Sequence, residues 1–173
     1  MTRPFPLSAP IVVVGLMGSG KSSVSRPLAQ ALGREMRDSD PDMRRRYGLS
    51  AAEMAEQLGA DLLHDREAEH LREALAEEPP PVIAAAASTI ERADIRALLQ
   101  PAVVVWLDAP DDVLAERMLS GSHRPHFEPD LRAMLAKQRA VRGPYFQEVA
   151  DLTFDVSKLT PEEIATQILD RLG

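Results

Sequence analysis

Residues 10–14 and 102–107 are continuous apolar runs rich in β-branched side chains, the pattern of strands covered on both faces of a parallel sheet. Shorter runs at 82–85 and 152–156 predict two more strands, and residues 35–38 a short fifth one. Between these runs, apolar positions recur at helical spacing over 21–32, 40–47, 50–58, 61–76, 90–99, 111–119, 131–142 and 161–172. The local punctuation agrees. Gly33 follows the first helix, Ser50 and Glu53 have capping-box spacing, and Gly59 stops the helix they open. Pro79-Pro80-Pro81 breaks the chain, and Pro161 opens the last helix. Residues 120–129 are polar, with glycine, two histidines and two prolines, and read as a loop. Alternation of strands and helices predicts an α/β domain with a mostly parallel sheet.

The turn after the first strand carries the most specific chemistry. Gly15-Leu16-Met17-Gly18-Ser19-Gly20-Lys21-Ser22 fits G-x-x-x-x-G-K-[ST] at every fixed position, with a strand before it and a helix after. Glycines permit the positive φ angles that turn successive backbone N–H groups inward. The helix N-terminus adds partial positive charge. Lys21 can reach the β- and γ-phosphates, and Ser22 offers a hydroxyl to Mg²⁺. Gly18, Ser19, Gly20, Lys21, Ser22 and Ser23 are therefore expected to bind ATP. The chain has only three lysines, and one stands at the required position.

Composition narrows the class. At 173 residues and 45% hydrophobic, the chain has the size of one folded domain, and we expect a single unit over 1–173. No cysteine occurs, which excludes disulfides and thiolate metal sites. No apolar run approaches the roughly 18–20 residues of a membrane span, and the N-terminus does not read as a signal peptide; the expectation is cytoplasmic. A net charge of −7 and a pI near 5.1 argue against a nucleic-acid partner. Arg44-Arg45-Arg46 is the one dense basic cluster, read as a solvated helix face or a contact to an anionic ligand. The chain has no asparagine, so the guanine-reading N-K-x-D motif is absent.

Further residues carry a resemblance. Asp38-Ser39-Asp40, Gly48 with Ser50, Gly59, Glu67, residues 103–107, Arg117, Arg124-Pro125, Arg142 with Pro144-Tyr145, and Pro161 follow the phosphate loop in order. In this set the chain resembles the shikimate kinase family over nearly its whole length. The resemblance implies a nucleoside-monophosphate-kinase-like three-layer fold with a five-stranded parallel sheet of order 2-3-1-4-5. It implies ATP and Mg²⁺ as cofactors and a small hydroxyl-bearing acceptor as partner. The acceptor region would span about 38–73, and a lid about 119–129. Asp38 would help hold Mg²⁺ through water, and Asp40 would bind the acceptor and orient its attacking hydroxyl. Arg124 would reach the phosphates from the lid, Arg117 and Pro161 would flank the adenine, and Arg142 would bind the acceptor's carboxylate. We expect a monomer.

Three positions depart from that pattern. Where the family has Phe-Arg after the glycine at Gly59, this chain has Leu63 and His64. Where it has three glycines after the third strand, this chain has Ala86, Ala87 and Ser88. His126 replaces an apolar lid residue. A histidine is mostly neutral at pH 7 and lacks the arginine fork. Two Cβ atoms would narrow the pocket and restrict φ. Arg66 lies on a different helix face from His64. The acceptor end is therefore expected to be rebuilt. Shikimate itself, another polyol or hydroxy acid, a nucleotide acceptor, and a catalytically weak nucleotide-binding regulatory role all remain as readings.

Overall fold

The computed structural model describes residues 4–120 and 130–173. Strands β1 (Ile11–Val14), β2 (Met36–Asp38), β3 (Val82–Ala84), β4 (Val103–Asp108) and β5 (Leu152–Asp155) form one parallel sheet in the order β2-β3-β1-β4-β5. All four residues of β1 are buried, as are the first three of β4, which is why their sequences are continuous apolar runs. Helices α1 (Lys21–Leu32), α2 (Ser39–Tyr47), α3 (Ala51–Leu58), α4 (Ala60–Leu75), α5 (Ala93–Leu98), α6 (Asp111–Ser120), α7 (Leu131–Val149) and α8 (Pro161–Asp170) connect or flank the strands. None of the described helices is long and apolar enough to cross a membrane.

Two packed clusters divide the structure by role. The main core joins the sheet to α1, α4, α6, α7 and α8, with Ile11, Leu28, Leu71, Ile83, Leu107, Leu114, Phe146 and Ile168 at its centre. A smaller cluster of Met43, Met54 and Leu63, backed by Tyr47 and Leu49, holds α2, α3 and α4 together. The expected acceptor region thus has its own apolar support. Ser50 and Glu53 close a complete capping box on α3.

Two elements differ from the sequence expectation. The single helix expected over 90–99 is a 3₁₀ turn, Ala87–Glu91, followed by α5. Thr89 pins that turn by donating its hydroxyl to Ala86 O at 2.7 Å. The helix expected to end at Arg142 continues through Gly143 and Pro144 to Val149. A proline inside a helix typically costs about 3 kcal/mol. Burial of Phe146, its stacking on Trp106 at 5.8 Å and the Arg96 guanidinium 3.9 Å over the Tyr145 ring offset that cost.

Candidate active site

The carboxyl ends of the strands bring the predicted residues to one edge of the sheet, where open parallel sheets place their ligand crevice. The phosphate loop leaves β1, Asp38 and Asp40 follow β2, and Ala86 to Ser88 follow β3. In the loop, Gly15 and Gly18 have φ of 152° and 84°. A Cβ on Gly15 would lie 2.5 Å from Leu107 O, and one on Gly18 2.9 Å from Leu114 O. Space and φ both require glycine there. Val24 is the first residue of α1 to donate back, to Gly20 O at 3.1 Å. The N–H groups of Lys21, Ser22 and Ser23 therefore have no acceptor within the helix, and an anion fits that end.

The Lys21 ammonium donates to Gly15 O at 3.0 Å and Leu16 O at 3.3 Å. Burial pulls its pKa down to about 8, against the attraction of Asp38 and Glu67. Asp38 stands at the N-cap position of α2 but caps nothing there; its Oδ2 accepts the Ser22 hydroxyl at 2.5 Å. Burial raises the Asp38 pKa, and the Ser22 hydrogen bond opposes the rise. Asp42 Oδ2 anchors this junction from below. It accepts the Asp38 N–H at 3.1 Å and sits 2.8 Å from Nε2 of His70, which is 5% exposed. Asp40 Oδ1 accepts the Ala51 N–H at 3.0 Å, tying α2 to the first turn of α3.

The acceptor side is polar and strongly interconnected. His64 and Glu67 lie one turn apart on α4. Burial lowers the His64 pKa, and Arg142 lowers it further. His64 is thus neutral at pH 7. Glu67 accepts the Ser88 hydroxyl at 2.9 Å, and burial raises its pKa to about 6. Arg142 is not at a solvated helix end, as a helix stopping there would have it. It is buried within α7 and donates Nε–H to Glu91 Oε2 at 2.8 Å. Ala86 has φ −61° and ψ 140°, and no described non-glycine residue has a positive φ. The alanines therefore add volume without backbone strain. Arg66 packs its guanidinium 3.9 Å over the Tyr47 ring, away from this group.

Arg117 donates Nη2–H to Val156 O at 2.6 Å, beside Gly20. Pro161, at the first turn of α8, borders an open cleft of about 410 Å³ shared with Ser23, Arg26, Pro27, Gln30 and Glu162. Arg124, His126 and residues 121–129 of the expected lid lie outside the described residues. Arg45 and Arg46 pair with Asp42 and Glu73, so two of the three arginines of the basic cluster are ion-paired on an exposed helix face. Sequence inspection misses three residues of this neighbourhood: His70, Glu91 and the role of Ser88 as a donor to Glu67.

A phosphate loop on the central strand β1, with carboxylates at the end of β2 across β3, defines a P-loop small-molecule kinase. The shikimate kinase family profile matches residues 17–173. The chain belongs to that family and is an ATP-dependent small-molecule kinase. A shikimate kinase from Shewanella loihica is 33% identical over 165 residues, covering 94% of this chain and 96% of the relative. The shikimate kinase from Acinetobacter baumannii, solved in complex with shikimate, superposes with a TM-score of 0.85 at 30% identity, covering 98% of this chain and 92% of the other. A gluconokinase from Sinorhizobium meliloti superposes with a TM-score of 0.63 at 25% identity, covering 95% and 91%.

Glu67 permits a direct check of this electrostatic picture. Its carboxyl ionises near 4.5 when unfolded and near 6 when folded, so stability falls as pH rises between those values and stays lower above them. Glu67→Gln keeps an acceptor for Ser88 and removes the buried charge. We expect it to melt several degrees higher than the natural chain at pH 7.5, on the order of 2 kcal/mol at most. At pH 4 the two should melt together. A lower melting temperature at pH 7.5 would show that the ionised carboxyl is well solvated or paired.

Proposed function

We propose that this chain transfers the γ-phosphoryl group of ATP, with Mg²⁺, to a hydroxyl of a small metabolite, and that shikimate is a poor acceptor for it. The observation that carries the proposal is the placement of Lys21, the Ser22–Asp38 pair and Asp40 at the ends of β1 and β2, on either side of β3. Bound ATP supplies the phosphoryl group, and Mg²⁺ neutralises its developing charge. No cluster of three metal-ligating side chains exists among the described residues. Ser22 and Asp38 suit Mg²⁺ rather than a protein-caged ion, because Mg²⁺ takes most of its ligands from phosphate and water. Lys21 holds the terminal phosphates, and Arg124, which lies outside the described residues, would add a second cation. Arg117 and Pro161 flank the base. Asp40 receives the hydrogen bond of the attacking hydroxyl and aims it in line.

On the acceptor side, His64, Ala86, Ala87 and Arg142 make the pocket. Loss of one charge-assisted arginine contact typically weakens a carboxylate by about ten- to a hundredfold. The added methyl groups act in the same direction. The gluconokinase neighbour supports the idea that this architecture serves other hydroxyl acceptors. The test is an ATP-consumption screen over shikimate, cyclitols, sugar acids and hydroxy amino acids. We expect turnover with an acceptor other than shikimate. A shikimate KM well below about 1 mM with kcat of about 1–100 s⁻¹ would instead make it a shikimate kinase with an unusual pocket. No turnover with any acceptor would leave a nucleotide-binding protein.

A further inference from the structure

We propose that Glu91 is the resident partner of Arg142, and that the site consequently takes an uncharged polyhydroxyl acceptor rather than a carboxylate. The proposal rests on the phosphotransfer reading above and names its substrate class. Arg142 is 9% exposed, and its Nε–H reaches Glu91 Oε2 at 2.8 Å. A guanidinium so placed needs an anion, and this chain supplies one from within. Glu91 is the last residue of the 3₁₀ turn that leaves β3. That turn is fixed by bonds from Thr89 N and Thr89 Oγ1 to Ala86 O and from Arg92 N to Thr89 O. Its carboxylate is therefore delivered to Arg142 by the backbone, and the Glu91 side chain, 41% exposed, bears little desolvation cost in doing so. An incoming carboxylate must displace a tethered one, whose effective concentration is of millimolar order or more.

The surrounding charges point the same way. Glu67 feels Arg142, Asp40 and Lys21, so these groups share one neighbourhood. Lys21 belongs to the phosphate loop. Arg92 is paired with Asp65, and Arg66 is stacked on Tyr47. His64 carries no charge at pH 7, because burial and Arg142 both disfavour its cation. Among the described residues, the acceptor side then sets Arg142 and the nearby Lys21 against the carboxylates of Glu91, Glu67 and Asp40. An anionic acceptor meets net repulsion there. Hydroxyl groups meet a row of acceptors, which is what a polyol can satisfy.

The experiment compares calorimetric binding of shikimate and of its methyl ester, in which the same ring hydroxyls are kept and the carboxylate is masked. The natural chain should bind the ester at least as tightly as the acid. Glu91→Gln and Glu91→Ala should each bind shikimate about ten- to a hundredfold more tightly than the natural chain, with little change for the ester. Affinity for a non-hydrolysable ATP analogue should not move. No gain in shikimate binding in either variant, or a natural chain that prefers the acid to its ester, overturns the proposal. The ester-against-acid comparison needs no variant, so it stands even where a substitution disturbs folding. Failure of the phosphotransfer reading would show separately, as absence of ATP consumption with every acceptor.

Discussion

Lys21→Met should abolish turnover while making the nucleotide-free protein more stable. The ammonium is held inside the loop by Gly15 O and Leu16 O, and among the described residues it makes no ion pair. Burial takes its pKa from 10.5 to about 8. A lysine whose folded pKa is depressed contributes stability only above its unfolded pKa. That stability is lost as pH falls from about 10.5 to about 8, so at pH 7 the half-buried cation carries that cost. Methionine has similar length and no charge. The melting temperature should rise at pH 7, and the difference should vanish above about pH 10.5. Turnover should fall by at least about 10²–10³, the usual effect of removing one preorganised donor to developing charge. ATP affinity of the natural chain should weaken as pH rises through about 8, where the loop loses its cation. A coupled ATP assay, calorimetry and thermal melting read all three. Unchanged ATP affinity and rate in the variant would remove the central functional claim.

How much of this was legible in the sequence depends on how local the physics is. The phosphate loop is eight consecutive residues, and Gly15 and Gly18 are required there by the close approach of Leu107 O and Leu114 O. Strands β1 and β4 are legible because both faces are covered and the apolar run is unbroken. Edge strand β2 is legible only as a short strand over 35–38, since Met36, Arg37 and Asp38 are all half-buried and leave no apolar run. The end of α7 misleads for a physical reason: Gly143-Pro144 is a local stop signal, and Phe146 against Trp106 is a distant contact that overrides it. The acceptor side is the least legible. Ser88 and Glu67 are 21 residues apart, and Arg142 and Glu91 are 51 apart. Composition and spacing place each residue on an element, but only the folded chain shows that these charges meet.

Asp40→Asn should leave folding and ATP binding nearly intact and remove most of kcat. A structural alternative exists, because Asp40 lies at the start of α2 where a short acid can serve as a cap. The structure gives it a capping bond, but on the other helix: Oδ1 accepts the N–H of Ala51, the first residue of α3. Asparagine retains that oxygen, so the α2–α3 tie survives, and stability should change by less than about 0.5 kcal/mol. What asparagine cannot do is present a second carboxylate oxygen to the acceptor hydroxyl or accept its proton. Loss of such a group typically reduces the chemical step by about 10²–10⁴. Because the hydroxyl is absent when nucleotide binds alone, ATP affinity should stay within a few-fold. Asp40→Ala separates the two roles: it should lose kcat to the same degree and also melt lower, by the roughly 0.5–2 kcal/mol that a cap contributes. Melting temperature, nucleotide affinity and kcat measured on both variants therefore distinguish orientation of the acceptor from support of α3. Normal turnover in Asp40→Asn would make Asp40 a structural cap and leave the site without its hydroxyl-orienting group.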